Sequence, residues 1–371
     1  MSKLQVFEYA HGIVLPRIQS PDGPRWGLGG VCDENNEFAQ SSFYDGGWAQ
    51  HGGYYEWTEE EFCDEEAVYM GLFLSHWGHF LVDLTGRMWF LQKLAKSRSD
   101  FKVAYVGEET IKGNNLAFLK LLGIREDQLM HITKPTRFRT VLVPEKAFRT
   151  CLWYKEEFVT MFDEMYRTVI NSSVDFSRLK DAKKVYFTRK KFSKAVTSEF
   201  GEDYFESCFV QNGYVAIAPE TLSMEEQIYV WNHADEIACM NGTIPLNALF
   251  CQNPKLKLTV LNKTSICHEN PGLILEMRKI SATFLDIYKE PFKNYPKSLG
   301  TGPYLLWPSK QFDMYCQNQE YVLTVSEKRR ERYFRKQYLK YCWAILNIKG
   351  RVYNFVSKLI PQRIKGVLRN G

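Results

Sequence analysis

The sequence predicts an α/β protein with two Rossmann-like halves facing a cleft. A β-rich amino-terminal segment and a basic, amphipathic helical carboxyl-terminal end complete the expected fold. Three observations carry this. Strand-like apolar runs alternate with helical patterns, the signature of a layered α/β fold with a parallel sheet. Four such runs and three crossovers crowd into about 80 residues from 181 to 261, as in a Rossmann-like unit. The 371 residues are also enough for two domains of ordinary size.

Residues 1–150 form the first half. The first 65 are rich in Gly and aromatics with short alternating runs, such as Gly12-Ile13-Val14-Leu15 and Phe43-Tyr44 before Asp45-Gly46-Gly47, and read as hairpins and loops. From 67 to 96 the pattern is helical: Ala67-Val68-Tyr69-Met70 leads into Leu72, Phe73, Phe80, Leu81, Leu84, Met88 and Leu91. Residues 102–107 read as a buried strand, 114–122 as a helix stopped by Gly123, and 140–143 as a strand ended by Pro144. Residues 151–180 form a bridge, mostly one amphipathic helix over 155–180 with Phe158, Met161, Phe162, Met165, Tyr166 and Val169 on its apolar side.

The second half runs from 181 to 300, with strands expected at 185–188, 214–218, 236–240 and 256–261. Between them come a helix at 198–212 closed by Gly213 and one opened by the Ser223…Glu226 capping box. A third turns in at Asn241-Gly242-Thr243 and runs to Phe250. Residues 301–371 are a carboxyl-terminal extension.

Charge is unevenly divided. Of the 48 Lys/Arg, 13 lie in residues 326–371, against only two of the 43 Asp/Glu. A mildly acidic body is joined to a strongly basic end, which excludes a uniformly basic nucleic-acid binder. No apolar stretch is long enough for a transmembrane helix. The start, Met1 to Glu8, lacks an apolar h-region, so no signal peptide is expected. Nine scattered cysteines without a C-x-x-C pair read as a reduced, cytoplasmic protein.

In a Rossmann-like sheet the ligand lies past the carboxyl ends of the strands. Three loops of the second half qualify: Thr188-Arg189-Lys190-Lys191, Pro219-Glu220-Thr221-Leu222-Ser223 and Asn241-Gly242-Thr243. Cations beside free backbone N–H groups suit a phosphate or diphosphate. Each loop alone is equally a solvated turn; their placement at successive strand ends favours a site. No G-x-G-x-x-G and no P-loop is present.

The first half offers Ser75-His76-Trp77-Gly78-His79 through Asp83 and Arg87 to Trp89. At helical spacing His79, Asp83 and Arg87 share one side, with His76 nearby. A cation, a carboxylate and an imidazole facing a cleft suit proton abstraction from a hydroxyl. The plainer reading is a surface Asp83–Arg87 pair beside a satisfied His79. No H-E-x-x-H or carboxylate cluster recommends a metal, and none is expected.

These segments resemble the family-61 glycosyltransferases, also called the capsular polysaccharide biosynthesis family. His79-Phe80-Leu81-Val82-Asp83 with Arg87 and Trp89 is similar to that family's H-[WF]-L-x-[ED]-x-x-P-R-x-W helix. Val185-Tyr186-Phe187-Thr188-Arg189-Lys190 resembles its Y-[IF]-[ST]-R-[RK] strand, and Pro219-Glu220-x-Leu222-Ser223-x-x-Glu226-Gln227 its P-E-x-[LM]-[ST]-x-x-E-Q segment. Asn241 to Phe250 looks like its H-G-A-G-L-T-N loop or the bacterial form ending H-N-x-L-F. Order and spacing agree over about residues 10–290. Gly86 stands where the family has Pro, and Asn241 or Leu246 where it has the loop His.

The resemblance implies a GT-B architecture and inverting, metal-independent transfer of a sugar from a nucleotide-sugar, with a UDP-sugar the expected donor and no cofactor. Asp83 is the expected base, with His79 its rival or partner and Arg87, His76 and Asn247 in support. Arg189, Lys190 and the loop Asn241, Gly242 and Thr243 would hold the diphosphate, and Glu220 and Pro219 the nucleoside. The acceptor would be a glycan or lipid-linked glycan of a capsule or other surface polymer. A non-catalytic scaffold subunit, and another surface-polymer transferase on the same frame, remain as alternatives.

The basic end places cations around an aromatic-aliphatic stripe, with Arg329, Arg330, Arg335, Lys336, Trp343 and Phe355 as the expected contacts to an anionic membrane. That would hold the protein peripherally at the inner face of the plasma membrane. Docking of 327–346 back on the body is the competing reading and can coexist with lipid binding by 348–371. Nucleic acid fits the stripe less well and is not expected as a partner.

Overall fold

The structure, a computed structural model, describes residues 3–266, 269–323 and 326–346. Its first sheet contains β1 (Val6–Ala10), β2 (Ile13–Ile18), β3 (Leu28–Cys32), β4 (Glu61–Phe73), β5 (Lys102–Gly107), β6 (Leu129–His131) and β7 (Thr136–Pro144). The strand order is β3-β2-β7-β4-β5-β6, with β1 also on β7. β4, β5, β6 and β7 pair in parallel; β1, β2 and β3 close that edge antiparallel.

Strand β4 corrects the helix expected from residue 67. Ala67 to Phe73 are all buried because β4 is a central strand covered on both faces. Such a strand reads as a continuous apolar run without period-two alternation. Its pairing with β5 shifts register between Tyr69 and Gly71, where Gly71 takes φ +110°, a bulge conformation open to glycine. The helical run begins only at Trp77 and is irregular. It is α-helical at Trp77–His79, a π-turn at Phe80–Leu84, 3-10 at Thr85–Arg87 and α-helical again in α1 (Met88–Ala95).

After α2 (Gly113–Leu121), α3 (Glu156–Ile170) ends ten residues short of the expected bridge. It packs on α1 and α2 of the first half, and on the helix Met224–His233 and residues 244–250 of the second. The second sheet contains β8 (Lys184–Phe187), β9 (Val215–Ile217), β10 (Glu236–Met240), β11 (Lys257–Asn262) and β12 (Ser281–Asp286). It is wholly parallel in the order β9-β8-β10-β11-β12. The four expected strands are present and β12 is an addition. The first crossover helix, expected from 198, is α4 (Glu202–Gln211), preceded by a short helix at Ser193–Ser198. Next come α5 (Met224–His233), the 3-10 turn Ile244–Phe250 and α6 (Asn270–Arg278). At α5 the capping box forms as read: Ser223 Oγ accepts from Glu226 N–H at 3.1 Å and Glu226 Oε2 from Ser223 N–H at 2.9 Å.

One hydrophobic core runs from the first sheet through α3 to the near face of the second sheet. A second core on the far face joins α4 to α7 (Lys310–Asn318) and α8 (Glu327–Leu346). The basic end therefore docks on the body as far as residue 346, through Phe334, Gln337 and Tyr341. Phe355 and the rest of 347–371 lie outside the described residues. No helix among the described residues is long and apolar enough to cross a membrane.

Candidate active site

In the order β9-β8-β10-β11-β12 the chain changes direction between β8 and β10. Helix α4, which follows β8, packs in the far core, whereas residues 244–250, which follow β10, pack in the near one. Connections leaving adjacent strands toward opposite faces open a crevice at their carboxyl ends, the binding position of such sheets. The loops at that crevice are those of Arg189 and of Asn241-Gly242-Thr243. Gly242 takes φ +151°, and a Cβ added there would meet nothing within 4 Å, so its backbone is open to close approach.

The helical run of the first half abuts this crevice. A Cβ on Gly78 would stand 3.2 Å from Thr243 Oγ1, and Trp77 Nε1–H donates to Asn247 Oδ1 at 2.9 Å. Asn247 is thereby a link between the halves. One turn on, His79 Nδ1 lies 2.9 Å from Asp83 Oδ2, and Tyr44 O–H donates to Asp83 Oδ1 at 2.6 Å. The Asp83 side chain is 1% exposed and that of His79 is 37% exposed. A carboxylate accepts, so Nδ1 carries the proton and Nε2 holds the free lone pair. His76 caps the run, its ring accepting from His79 N–H at 3.4 Å. His79 stacks on Trp48 at 5.1 Å and meets the edge of Trp26 at 5.7 Å.

Asp83 thus lies beneath His79 and Tyr44, and of the two expected bases the imidazole is the group at the surface. Burial, and then Asp83, push the Tyr44 hydroxyl far above its usual range, so it stays protonated and donates. Lys146 hangs 5.1 Å over the Tyr44 ring, and burial and the Arg87 charge lower its ammonium to about 8.

Arg87 does not join this group, and no Asp83–Arg87 pair forms. Its guanidinium is buried and donates to the carbonyls of Pro144, Ser41 and Phe43. The helix changes pitch from π to 3-10 between Asp83 and Arg87, so the even 100° spacing that aligned them in sequence is lost.

The cationic loop is held from below. Arg189 Nε donates to Glu199 Oε2 at 3.0 Å, and the other oxygen of Glu199 accepts from Lys263 Nζ at 2.7 Å. Glu199 and Lys263 side chains are each 2% exposed. Lys190 Nζ bonds Asp203 at 2.8 Å and Glu206 at 2.9 Å. Asn241 Nδ2–H donates to Asn262 Oδ1 at 2.8 Å, and Asn262 in turn to Asp286, while Asn241 Oδ1 is buried without a partner. Glu220 is exposed and Pro219 half-buried at the end of edge strand β9.

Glu202 accepts the Arg189 N–H at 2.7 Å, yet burial raises its carboxyl to about 7. Between its unperturbed pKa near 4.5 and that value, the folded chain keeps a proton that the unfolded chain has released. Stability therefore falls as pH rises through this window. The thermal midpoint is expected to drop from about pH 5 to about pH 8, and Glu202→Gln to flatten that drop.

Five residues of this region escaped sequence reasoning: Tyr44, Trp48, Lys146, Glu199 and Lys263. Lys263 had a usable signal, since it follows β11 and the strand-end rule extends to the fourth strand as to the first three. The others come from loops or two-residue strands whose folding back on the site no local pattern encodes.

The family model for Glycosyltransferase 61 matches residues 77–258. That match supports a family-61 glycosyltransferase. The match opens at the residue whose indole bridges to Asn247 and takes in the dyad helix and both crevice loops. Tyr44, Trp48 and Lys263 lie outside the matched stretch. A search of curated proteins finds no match.

Proposed function

We propose that the protein is an inverting, metal-independent transferase of GT-B type. In this reading it moves a sugar from a nucleotide-sugar, a UDP-sugar foremost, to a hydroxyl of a lipid-linked capsular or surface glycan precursor. It works in the cytoplasm at the inner face of the plasma membrane. The observation that carries the reading is the Tyr44–Asp83–His79 relay set against the Thr243 loop.

His79 Nε2 takes the acceptor proton as the hydroxyl oxygen attacks the anomeric carbon. Asp83 fixes the imidazole tautomer and stabilises the imidazolium that forms. The diphosphate leaves from the opposite face. Its growing charge meets the outer guanidinium nitrogens of Arg189 and the backbone N–H groups of Gly242 and Thr243, donors aimed where charge develops. Pro219 and Glu220 border the nucleoside.

Thermal shift against UDP, GDP, CMP and dTDP and their sugars is the direct test. Stabilisation by one nucleotide, with its sugar turned over to product of inverted anomeric configuration by NMR, is the expected result. A retained configuration would remove the single-displacement step.

One observation favours a second reading, a non-catalytic scaffold: Arg189 and Lys190 are already ion-paired to Glu199, Asp203 and Glu206. Absence of any nucleotide binding by calorimetry would support it.

Trp48, 44% exposed beside His79, supplies an indole for the acceptor ring. Truncating such an aromatic removes apolar contact and leaves the proton relay intact. Trp48→Ala is expected to raise acceptor KM about tenfold with donor KM unchanged. Steady-state kinetics with each substrate varied in turn will check this.

A further inference from the structure

Helix α8 has two faces, and only one is used by the fold. At 3.6 residues per turn Phe334, Gln337 and Tyr341 share the inner face, and all three are buried. Phe334 lies 4.9 Å from the Trp307 ring and 5.0 Å from Tyr204. Arg330 belongs to this side too, its guanidinium doubly bonded to Asp313 at 2.8 and 2.9 Å, which removes it from the expected membrane contacts. The helix is therefore fixed in rotation, and its opposite face is presented outward.

That outward face carries Leu339, Trp343 and Leu346, exposed to 64%, 48% and 47%. Exposed cations lie among and beside them, Arg332, Arg335 and Lys336 in particular. The two acids of the helix lie off its centre: Glu327 is toward the inner side, and Glu331 at the edge is bonded to Arg335. A row of exposed apolar groups is costly in water unless something covers it. A second copy of this chain would bring the same cations against one another. The grooves of a nucleic acid would set the two leucines among phosphates. An anionic bilayer takes both components at once: phosphates for the cations, the acyl boundary for the leucines and the headgroup level for the indole. The sequence after residue 346 adds six further Lys/Arg and no acid, the same sign of charge.

We propose that the outward face of α8, formed by Arg332, Arg335, Lys336, Leu339, Trp343 and Leu346, is a docking surface for an anionic lipid bilayer. It holds the body with the far core of the second half toward the membrane. This deepens the membrane placement proposed above and does not depend on the transfer step, since it rests on the docking of α8 alone.

The test is flotation of the full chain with phosphatidylcholine vesicles, with and without phosphatidylglycerol. Wild type is expected to float with the anionic vesicles and to be released by salt. Leu339→Ser/Trp343→Ser and Arg332→Gln/Arg335→Gln are each expected to lower the partition coefficient on the order of tenfold. Met314→Ser, which removes an exposed apolar group elsewhere, should float as wild type does. The altered side chains face solvent, so the thermal midpoints of all variants should stay at the wild-type value, and any nucleotide binding should be unchanged.

Three results would overturn the proposal. They are no flotation of wild type, flotation of both double variants equal to that of wild type, and a concentration-dependent dimer that the Leu339→Ser/Trp343→Ser variant abolishes. A chain that floats normally but binds no nucleotide would leave this surface standing and remove the transfer reading.

Discussion

His79→Ala is expected to lower kcat by about 10²–10⁴, the range for losing a positioned general base, with nucleotide-sugar affinity unchanged. The imidazole touches neither Arg189 nor the Thr243 loop through any hydrogen bond in the structure, so its removal spares the donor side. Asp83→Asn should give a loss of similar order for a different reason. The amide can present its NH2 to Nδ1, which favours the tautomer with the proton on Nε2, and then no lone pair faces the acceptor. Tyr44→Phe keeps the carboxylate and removes one of its two bonds, so it should cost less than either. Single-turnover rates with saturating donor, compared with donor affinity from calorimetry, separate these effects. Normal turnover by His79→Ala would remove the base assignment, and normal turnover by Asp83→Asn would remove the relay beneath it.

The second half was legible because its physics is local. Residues 236–240 and 257–262 are short apolar runs separated by helical turns, and Ser223 with Glu226 announces a helix start that tertiary packing has no reason to override. The strand-end rule then located Arg189 and Thr243 without any distance. The first half was harder for a definite reason. Strand β4 is buried on both faces, so Ala67 to Phe73 lack the alternation that separates a strand from a helix. The run from Trp77 was read rightly as helical and wrongly as even. The π-turn at Phe80–Leu84 brings His79 and Asp83 together and turns Arg87 away toward the carbonyls of Ser41 and Phe43. Tyr44 and Trp48 lie some thirty residues before the helix they serve, and nothing in their own neighbourhood encodes that contact. At the basic end Phe334 and Tyr341 make residues 327–346 part of the body, the docking that the sequence offers as its competing reading.

Glu199→Gln is expected to destabilise the protein by about 3–5 kcal/mol, the cost of removing one partner from a buried ion pair. Both oxygens of Glu199 are engaged, one by Lys263 and one by Arg189, and its side chain and that of Lys263 are almost wholly out of water. The glutamine amide can accept from only one of the two cations and turns N–H groups toward the other. Lys263 is then left with the Tyr304 ring, 4.6 Å away, as its remaining contact. Burial already lowers the Lys263 ammonium, so the variant should shed that proton more readily and be less destabilised at high pH than at neutral pH. The sign follows because a neutral amine needs no counter-charge, whereas the unfolded chain stays protonated there. Combining Glu199→Gln with Lys263→Met should restore part of the loss, since residues sharing one ion pair do not act additively. Urea titrations with an unchanged slope give the comparison directly. A loss below about 1 kcal/mol would mean that the pair is as solvated as a surface salt bridge. The same substitution puts a neutral amide in place of the carboxylate that anchors Arg189 Nε, so a nucleotide that stabilises wild type should stabilise Glu199→Gln less. That coupling is the expected mark of an acid that both holds the fold together and aims a cation at the donor crevice.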